Sequence, residues 1–303
     1  MLLPAEYVRD PAAMNRVWNA SDSLAYTHWL ATHHYENFHV VSFLLPRHLH
    51  QDFYNVYSFC RWADDLGDEI GDQAESLRLL AWWRAELDAM YAGQTKHPVF
   101  TALRGTAERY GIPKQPFADL IRAFVQDQTV TRYPSWEGVL DYCVYSANPV
   151  GRLVLYLCGY SDPERQQLSD HTCTALQLAN FWQDVTVDLE KDRVYIPLEV
   201  LARHGYTVDD LFARRMNENF RAAMIEIVDR ARELFLAGLP LAHMVSRRLS
   251  IDLDLFSRGG LHVLKKIEQQ NYDVLSRRPA ISKLERAGLL LSSVARMTLG
   301  RAA

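Results

Sequence analysis

Two acidic clusters hold the residues best suited to chemistry. The first runs Arg61-Trp62-Ala63-Asp64-Asp65-Leu66-Gly67-Asp68-Glu69. The second runs Gln177-Leu178-Ala179-Asn180-Phe181-Trp182-Gln183-Asp184-Val185-Thr186-Val187-Asp188. Each sets two aspartates at i and i+4, Asp64 with Asp68 and Asp184 with Asp188. On an α-helix that spacing puts both carboxylates on one face, about 6 Å apart. At an effective dielectric of ~20, two such anions repel by roughly 3 kcal/mol. Water can screen the repulsion, or a cation can sit between the carboxylates. Three features favour the cation. Tyr57, Phe59, Trp62, Phe181 and Trp182 edge the clusters, more apolar company than a solvated face keeps. Asn180 extends the second cluster one turn back with a neutral oxygen of the kind Mg²⁺ accepts. Arg61 lies one turn before Asp64, and Lys191 and Arg193 follow Asp188. Carboxylates with Lys and Arg nearby suit Mg²⁺ ions that share their coordination with a diphosphate.

That pairing implies a reaction. A metal-neutralised diphosphate is a good leaving group, so a C–O bond can ionise and leave a carbocation. An apolar pocket would keep water from the cation, and aromatic faces would stabilise it. Phe38, Tyr57, Tyr142 and Trp182 are candidates by closeness to the motifs. The blander readings differ in strength. A lone Asp-x-x-x-Asp is ordinary on an exposed helix, but two, each beside aromatic and basic residues, argue for metal. A di-iron bundle needs Glu-x-x-His on two helices; only Glu36 to His39 offers one without an obvious partner. The pairs Arg214-Arg215, Arg247-Arg248, Lys265-Lys266 and Arg277-Arg278 read as solvated helix faces. They could equally help the chain rest on an anionic membrane. Trp82-Trp83 reads as core. Cys60, Cys143, Cys158 and Cys173 form no C-x-x-C pair and read as buried reduced thiols.

The elements that must carry these residues are helices. Apolar residues recur at three and four spacings over Pro46–Glu69, Gln73–Ala92, Pro98–Tyr110, Pro113–Gln128, Ser135–Cys158, Pro163–Leu189 and Asn217–Leu239. Ser21-Asp22-Ser23 suggests an N-cap before Leu24–His34. Leu241–Tyr272 reads as an interrupted helix and Pro279–Met297 as a last one. Asn148-Pro149 should break or kink the helix that holds it. No strand-and-hairpin pattern, fixed-period repeat or Pro/Ser/Gly linker interrupts the series. One all-α domain over 1–303 is expected, against the two-domain prior of the length. Lys plus Arg is 33 against 37 Asp plus Glu, a net charge of −4, which excludes general nucleic-acid binding. The N-terminal residues lack the apolar run of a secretory signal. Ala287–Val294 is far short of the ~20 residues needed to span a bilayer. A cytoplasmic placement is expected, peripheral at the inner membrane face if the basic pairs meet lipid.

The motifs together resemble the squalene/phytoene synthase family of head-to-head trans-isoprenyl transferases. His34-Tyr35-Glu36-Asn37-Phe38 followed by Leu44-Leu45-Pro46 is similar to the family's N-terminal segment near the diphosphate. Tyr57 to Asp68 resembles its first aspartate-rich motif. Tyr142 to Gly151 resembles its Tyr-Cys…Ala-Gly-x-Val-Gly segment. Gln177 to Asp188, with Arg193 to Pro197, resembles its second aspartate-rich motif and exit.

The resemblance implies an isoprenoid synthase fold, many helices around a central apolar pocket. It implies Asp64, Asp68, Asp184 and Asp188, helped by Asn180, as ligands of two or three Mg²⁺ ions. Arg61, Lys191 and Arg193 would bind diphosphate, with His34, Phe38 and Tyr57 close by. Gln177 and Tyr142 would line the reaction pocket.

Departures narrow the expectation. Asn148-Pro149 stands where many members have Gly-Thr or Gly-Leu, and Gln183 where many have Arg. With Glu36-Asn37-Phe38, these resemble the bacterial hopanoid-pathway branch. That branch implies presqualene diphosphate as substrate, ionised, rearranged and captured by water as hydroxysqualene, with no NADPH. Asn148 would help admit the water. The alternatives are condensation of two farnesyl diphosphates to squalene or presqualene diphosphate, and a non-catalytic assembly protein of the same fold. The second alternative is weakened because all four aspartates are present.

Overall fold

A computed structural model of the chain describes residues 1–33 and 46–299. Among these residues the regular structure is helical, and one isolated parallel bridge, Arg132 to Val194, is the only strand-like pairing. The all-α expectation holds. The helices gather into two compact units, one of Met1–Thr129 with Pro149–Ser161, the other of Val130–Asn148 with Asp162–Ala303.

The first unit contains α1 (Pro4–Tyr7), α2 (Pro11–Met14), α3 (Ala20–His33), α4 (His50–Asp68), α5 (Gln73–Tyr91), α6 (Pro98–Tyr110) and α7 (Lys114–Asp127). Helix α4 is its axis and packs against α1, α3, α5, α6 and α7. Its sequence dictates this. Phe53, Val56, Phe59, Trp62, Ala63 and Leu66 are all buried. The remaining stripe, Tyr54, Tyr57, Arg61, Asp64 and Asp68, stays partly or fully exposed. The acidic motif is thus the solvent edge of the most enclosed helix. Trp62 stacks on Trp83 at 5.0 Å, and Phe59 meets Phe117 edge-on at 4.8 Å, as aromatic quadrupoles prefer. The Trp82-Trp83 pair is core in this sense, Trp83 being fully buried. His97 caps α6 by accepting from the Val99 amide at 3.3 Å. Burial holds its imidazole well below the usual value, and so neutral.

The second unit contains α8 (Trp136–Ser146), α10 (Pro163–Gln183), α11 (Val185–Glu190), α12 (Leu198–Arg203), α13 (Val208–Phe212), α14 (Glu218–Gly238), α15 (Arg247–Gln269) and α16 (Lys283–Leu299). Helix α9 (Asn148–Leu157) belongs to the first unit from Pro149 on and gives Leu153 and Leu157 to its core. Here α10 is the axis, packed by α8, α14 and α15. The chain starts its helices with side-chain caps: Ser135 for α8, Asp162 for α10 with Pro163 at the first position, Asn217 for α14. Gly260 on α15 lies against Phe235 of α14; a Cβ there would sit 2.0 Å from the ring. The two helices approach closely because that side chain is missing.

Several boundaries moved. Helix α3 already includes Ser21-Asp22-Ser23; Asn19 is the cap, accepting from the Asp22 amide at 2.8 Å. Ser and Asn cap equally well, so composition does not choose between them. The 135–158 stretch breaks at Ala147, between α8 and α9, as the following proline requires. The 163–189 stretch divides at Asp184, with φ −104° and ψ 17°. The last helix begins at Lys283, leaving residues 276–282 as a connecting strap. None of the four cysteines is in a disulfide; Cys143 is buried, the other three half-buried. Burial pushes the Cys143 thiol up to about 12, which makes it inert.

Candidate functional site

The first motif is an ordered charge cluster on α4. Arg61 pairs with Asp64 at 3.1 Å and with Asp65 at 2.5 Å. Asp65 is buried, and that burial pushes its carboxyl up to about 6 against the pull of Arg61. Asp64 is half-exposed and Asp68, at the last helical residue, is exposed. Asp64 and Asp68 therefore face outward together, while Asp65 turns inward and helps hold the arginine. Tyr57, one turn before Arg61, is half-buried, and burial raises its phenol so that it keeps its proton.

The second motif crosses the break between α10 and α11 without losing its face. The Asp184 amide donates to the Asn180 carbonyl at 2.8 Å, and the Asp188 amide to the Asp184 carbonyl at 2.9 Å. Gln177, Asn180, Asp184 and Asp188 consequently remain on one partly exposed stripe. Burial and the charge of Asp184 raise the Asp188 carboxyl to about 7, with Arg193 and Lys191 opposing. Both basic residues are brought there by the backbone: the Lys191 and Arg193 amides donate to the Asp188 carbonyl at 3.0 and 2.8 Å. The reversal between them uses Asp192 at φ 54°, a left-handed position that Asp tolerates better than most. A recess beside this turn is lined by Phe181, Asp188, Arg193 and Tyr195.

Tyr142 is buried in an aromatic cluster at the same place. Its ring lies 5.5 Å from Tyr133, 6.1 Å from Phe181 and 5.9 Å from Tyr195. Phe181 and Tyr195 stack face to face at 3.7 Å. Asn148 is buried and accepts from the Thr174 hydroxyl of α10 at 2.8 Å. Trp182 is fully buried. His34 and Phe38 lie outside the described residues.

One basic pair needs a different reading. Arg278 does not belong to a solvated helix face: it sits in the strap and pairs with both carboxylate oxygens of Asp184. The Arg277-Arg278 doublet carried the charge signal, but nothing in local spacing links it to a residue so far back in the chain. Arg214, from another such doublet, pairs with Glu190 at 3.2 Å.

The donors suit a hard divalent cation. Those of the second stripe are two carboxylates and an amide, all oxygen. Burial and the neighbouring Asp184 raise the Asp188 carboxyl, a shift that a bound cation would oppose. Among the described residues no group of three or more His, Cys, Asp or Glu side chains forms a metal cage. An ion held at either motif would complete its shell with water and phosphate oxygens, as Mg²⁺ commonly does.

The chain is similar to known proteins along most of its length. The chain is 33% identical over 291 residues to phytoene synthase of Thermus thermophilus, covering 96% of this chain and 94% of that one. It is 34% identical over 280 residues to hydroxysqualene synthase of Rhodopseudomonas palustris, covering 89% and 93%. Among solved structures, squalene synthase HpnC from Alicyclobacillus acidocaldarius matches with TM-score 0.80 and 44% identity, over 83% of this chain and 95% of that one. A dehydrosqualene synthase structure, at 22% identity, matches with TM-score 0.82 over 92% and 98%, which shows the isoprenoid synthase fold. The squalene/phytoene synthase family model matches residues 31–285. With both aspartate motifs inside that span, the chain belongs to the squalene/phytoene synthase family.

Proposed function

We propose that this enzyme converts presqualene diphosphate to hydroxysqualene with Mg²⁺ and without NADPH. The observation that carries the reading is the likeness to hydroxysqualene synthase of Rhodopseudomonas palustris, 34% identical over 280 residues. The Asn148-Pro149 and Gln183 departures support it, and the 44% identity to squalene synthase HpnC favours the squalene side of the family over the phytoene side.

Asp64 and Asp68, and Asn180, Asp184 and Asp188, are the proposed Mg²⁺ ligands. Bound there, the metal would neutralise the negative charge of a diphosphate as it leaves. Arg61 and the protonated Tyr57 hydroxyl beside the first motif, and Lys191 and Arg193 beside the second, are the proposed diphosphate-binding groups. The carbon–oxygen bond breaks with its electron pair leaving on the diphosphate. Tyr142 and the stacked Phe181 and Tyr195 offer π faces to the resulting cation. Gln177 lines the same stripe. Asn148, its orientation fixed by Thr174, orders the water whose oxygen captures the rearranged cation and which then loses one proton. His34 and Phe38 are assigned to the diphosphate end by family resemblance.

The test is to incubate purified protein with Mg²⁺ and presqualene diphosphate, without NADPH, and analyse the lipid. Hydroxysqualene is expected; unchanged substrate would sink the assignment. A second reading, phytoene formation, is favoured by the Thermus relative, which spans nearly the whole chain. Phytoene from prenyl diphosphates would select it. Squalene only with NADPH would select a reductive synthase. Farnesyl diphosphate turning into accumulated presqualene diphosphate would select the first condensation. A cytoplasmic enzyme touching the membrane peripherally fits a lipid product. Among the described residues no helix is long and apolar enough to cross a membrane.

A further inference from the structure

Two consecutive residues at the end of α10 meet two consecutive residues of the strap 276–282. The buried Gln183 amide donates to the Pro279 carbonyl at 2.6 Å. Beside it the Arg278 guanidinium lies along Asp184, Nε to Oδ1 and Nη2 to Oδ2, the latter at 3.2 Å. The Arg278 side chain is 49% exposed, so ions and anions in solution can reach it.

The arrangement sets up a competition. Asp184 has two oxygens, and the planar fork of Arg278 occupies both. A divalent cation cannot take Asp184 without shifting the guanidinium, because like charges at that distance repel. An anion that attracts the guanidinium lowers the cost of the shift. A neutral glutamine at 183 anchors the strap without adding a second positive charge beside Asp184.

We propose that Gln183 is a positioning residue that holds Arg278 on Asp184 as a resident counter-cation, so that metal enters the second motif weakly until a diphosphate draws the arginine away. This rests on the reading of Asp184 as a metal ligand. Metal and diphosphate are then coupled ligands, each strengthening the other to the same degree.

The coupling is measurable without turnover. Mn²⁺ binding to the full chain is titrated by electron paramagnetic resonance of the free ion, with and without inorganic pyrophosphate. Wild type should bind Mn²⁺ weakly alone and more tightly with pyrophosphate. Arg278→Gln should bind Mn²⁺ alone roughly fivefold more tightly and lose most of the coupling. Arg278→Lys, which keeps the charge but not the fork, should fall between. Gln183→Met, which keeps the length but not the donor, should shift affinity the same way by less. It should also speed hydrogen exchange over residues 276–282. Unchanged Mn²⁺ affinity and coupling in folded Arg278→Gln overturns the counter-cation role. Asp184→Asn separates the two claims. If it leaves Mn²⁺ binding intact with and without pyrophosphate, the ligand reading itself fails, and the counter-cation role with it.

Discussion

The carboxylates of this chain behave differently according to what surrounds them. Asp64 and Asp68 face outward, and Asp65, one residue from the first, is buried behind Arg61. Asp64→Asn or Asp184→Asn should lower kcat by roughly 100-fold or more while circular dichroism stays native. An assembly protein would lose nothing. Asp252 on α15 is a different case. It is buried, neither carboxylate oxygen has a hydrogen-bond partner, and burial raises the group to about 7. An unfolded Asp titrates at ~3.9. Below that value both states are neutral and the group costs nothing. As pH rises toward the folded value, the unfolded chain ionises freely and the folded one does not, so stability falls. Asp252→Asn should therefore gain stability over wild type at pH ~8 relative to pH ~4, read by urea unfolding at both. An equal difference at the two values would refute the assignment. The residue types of both aspartate motifs were readable from spacing. The inward turn of Asp65 was not, since it depends on which face of α4 the other helices cover.

Helix-level organisation places both motifs. The first lies on α4, the axis of its unit, and the second starts on α10, the axis of the other, and crosses onto α11. Periodicity located both helices, because an apolar face recurring every three to four residues is a local property. It did not find the division at Asp184 or the start of α16 at Lys283. Those ends depend on contacts from distant segments, such as the bond from Gln183 to Pro279. Two substitutions test the packing. Gly260→Ala should overpack α15 on Phe235 and lower unfolding free energy by about 1–3 kcal/mol, read from a shifted urea midpoint. A neutral result would mean that α14 and α15 separate easily. Asn148→Gly removes the acceptor of the Thr174 hydroxyl at the break before Pro149. It should cost about 1 kcal/mol and lower the proportion of alcohol among the products. An unchanged product ratio would remove Asn148 from the water-capture step.

At the scale of the molecule, the net charge of −4 averages over acidic stripes and the basic groups set against them. Ligands that neutralise those stripes should stabilise the whole chain. At a hundredfold excess over Kd, Mg²⁺ with inorganic pyrophosphate should add about 2.7 kcal/mol, seen as a raised Tm and reversed by a chelator. No rise in Tm would argue against a metal–diphosphate site. The sequence alone determined the helical class, the two aspartate motifs, the proline break and the family, because each is written in local spacing. Tertiary structure decided which carboxylate is buried, which aromatic rings stack, and which arginine meets Asp184. That last contact joins residues 94 positions apart. Local periodicity records which face a residue occupies on its own helix. It holds no record of what the rest of the chain folds against that face.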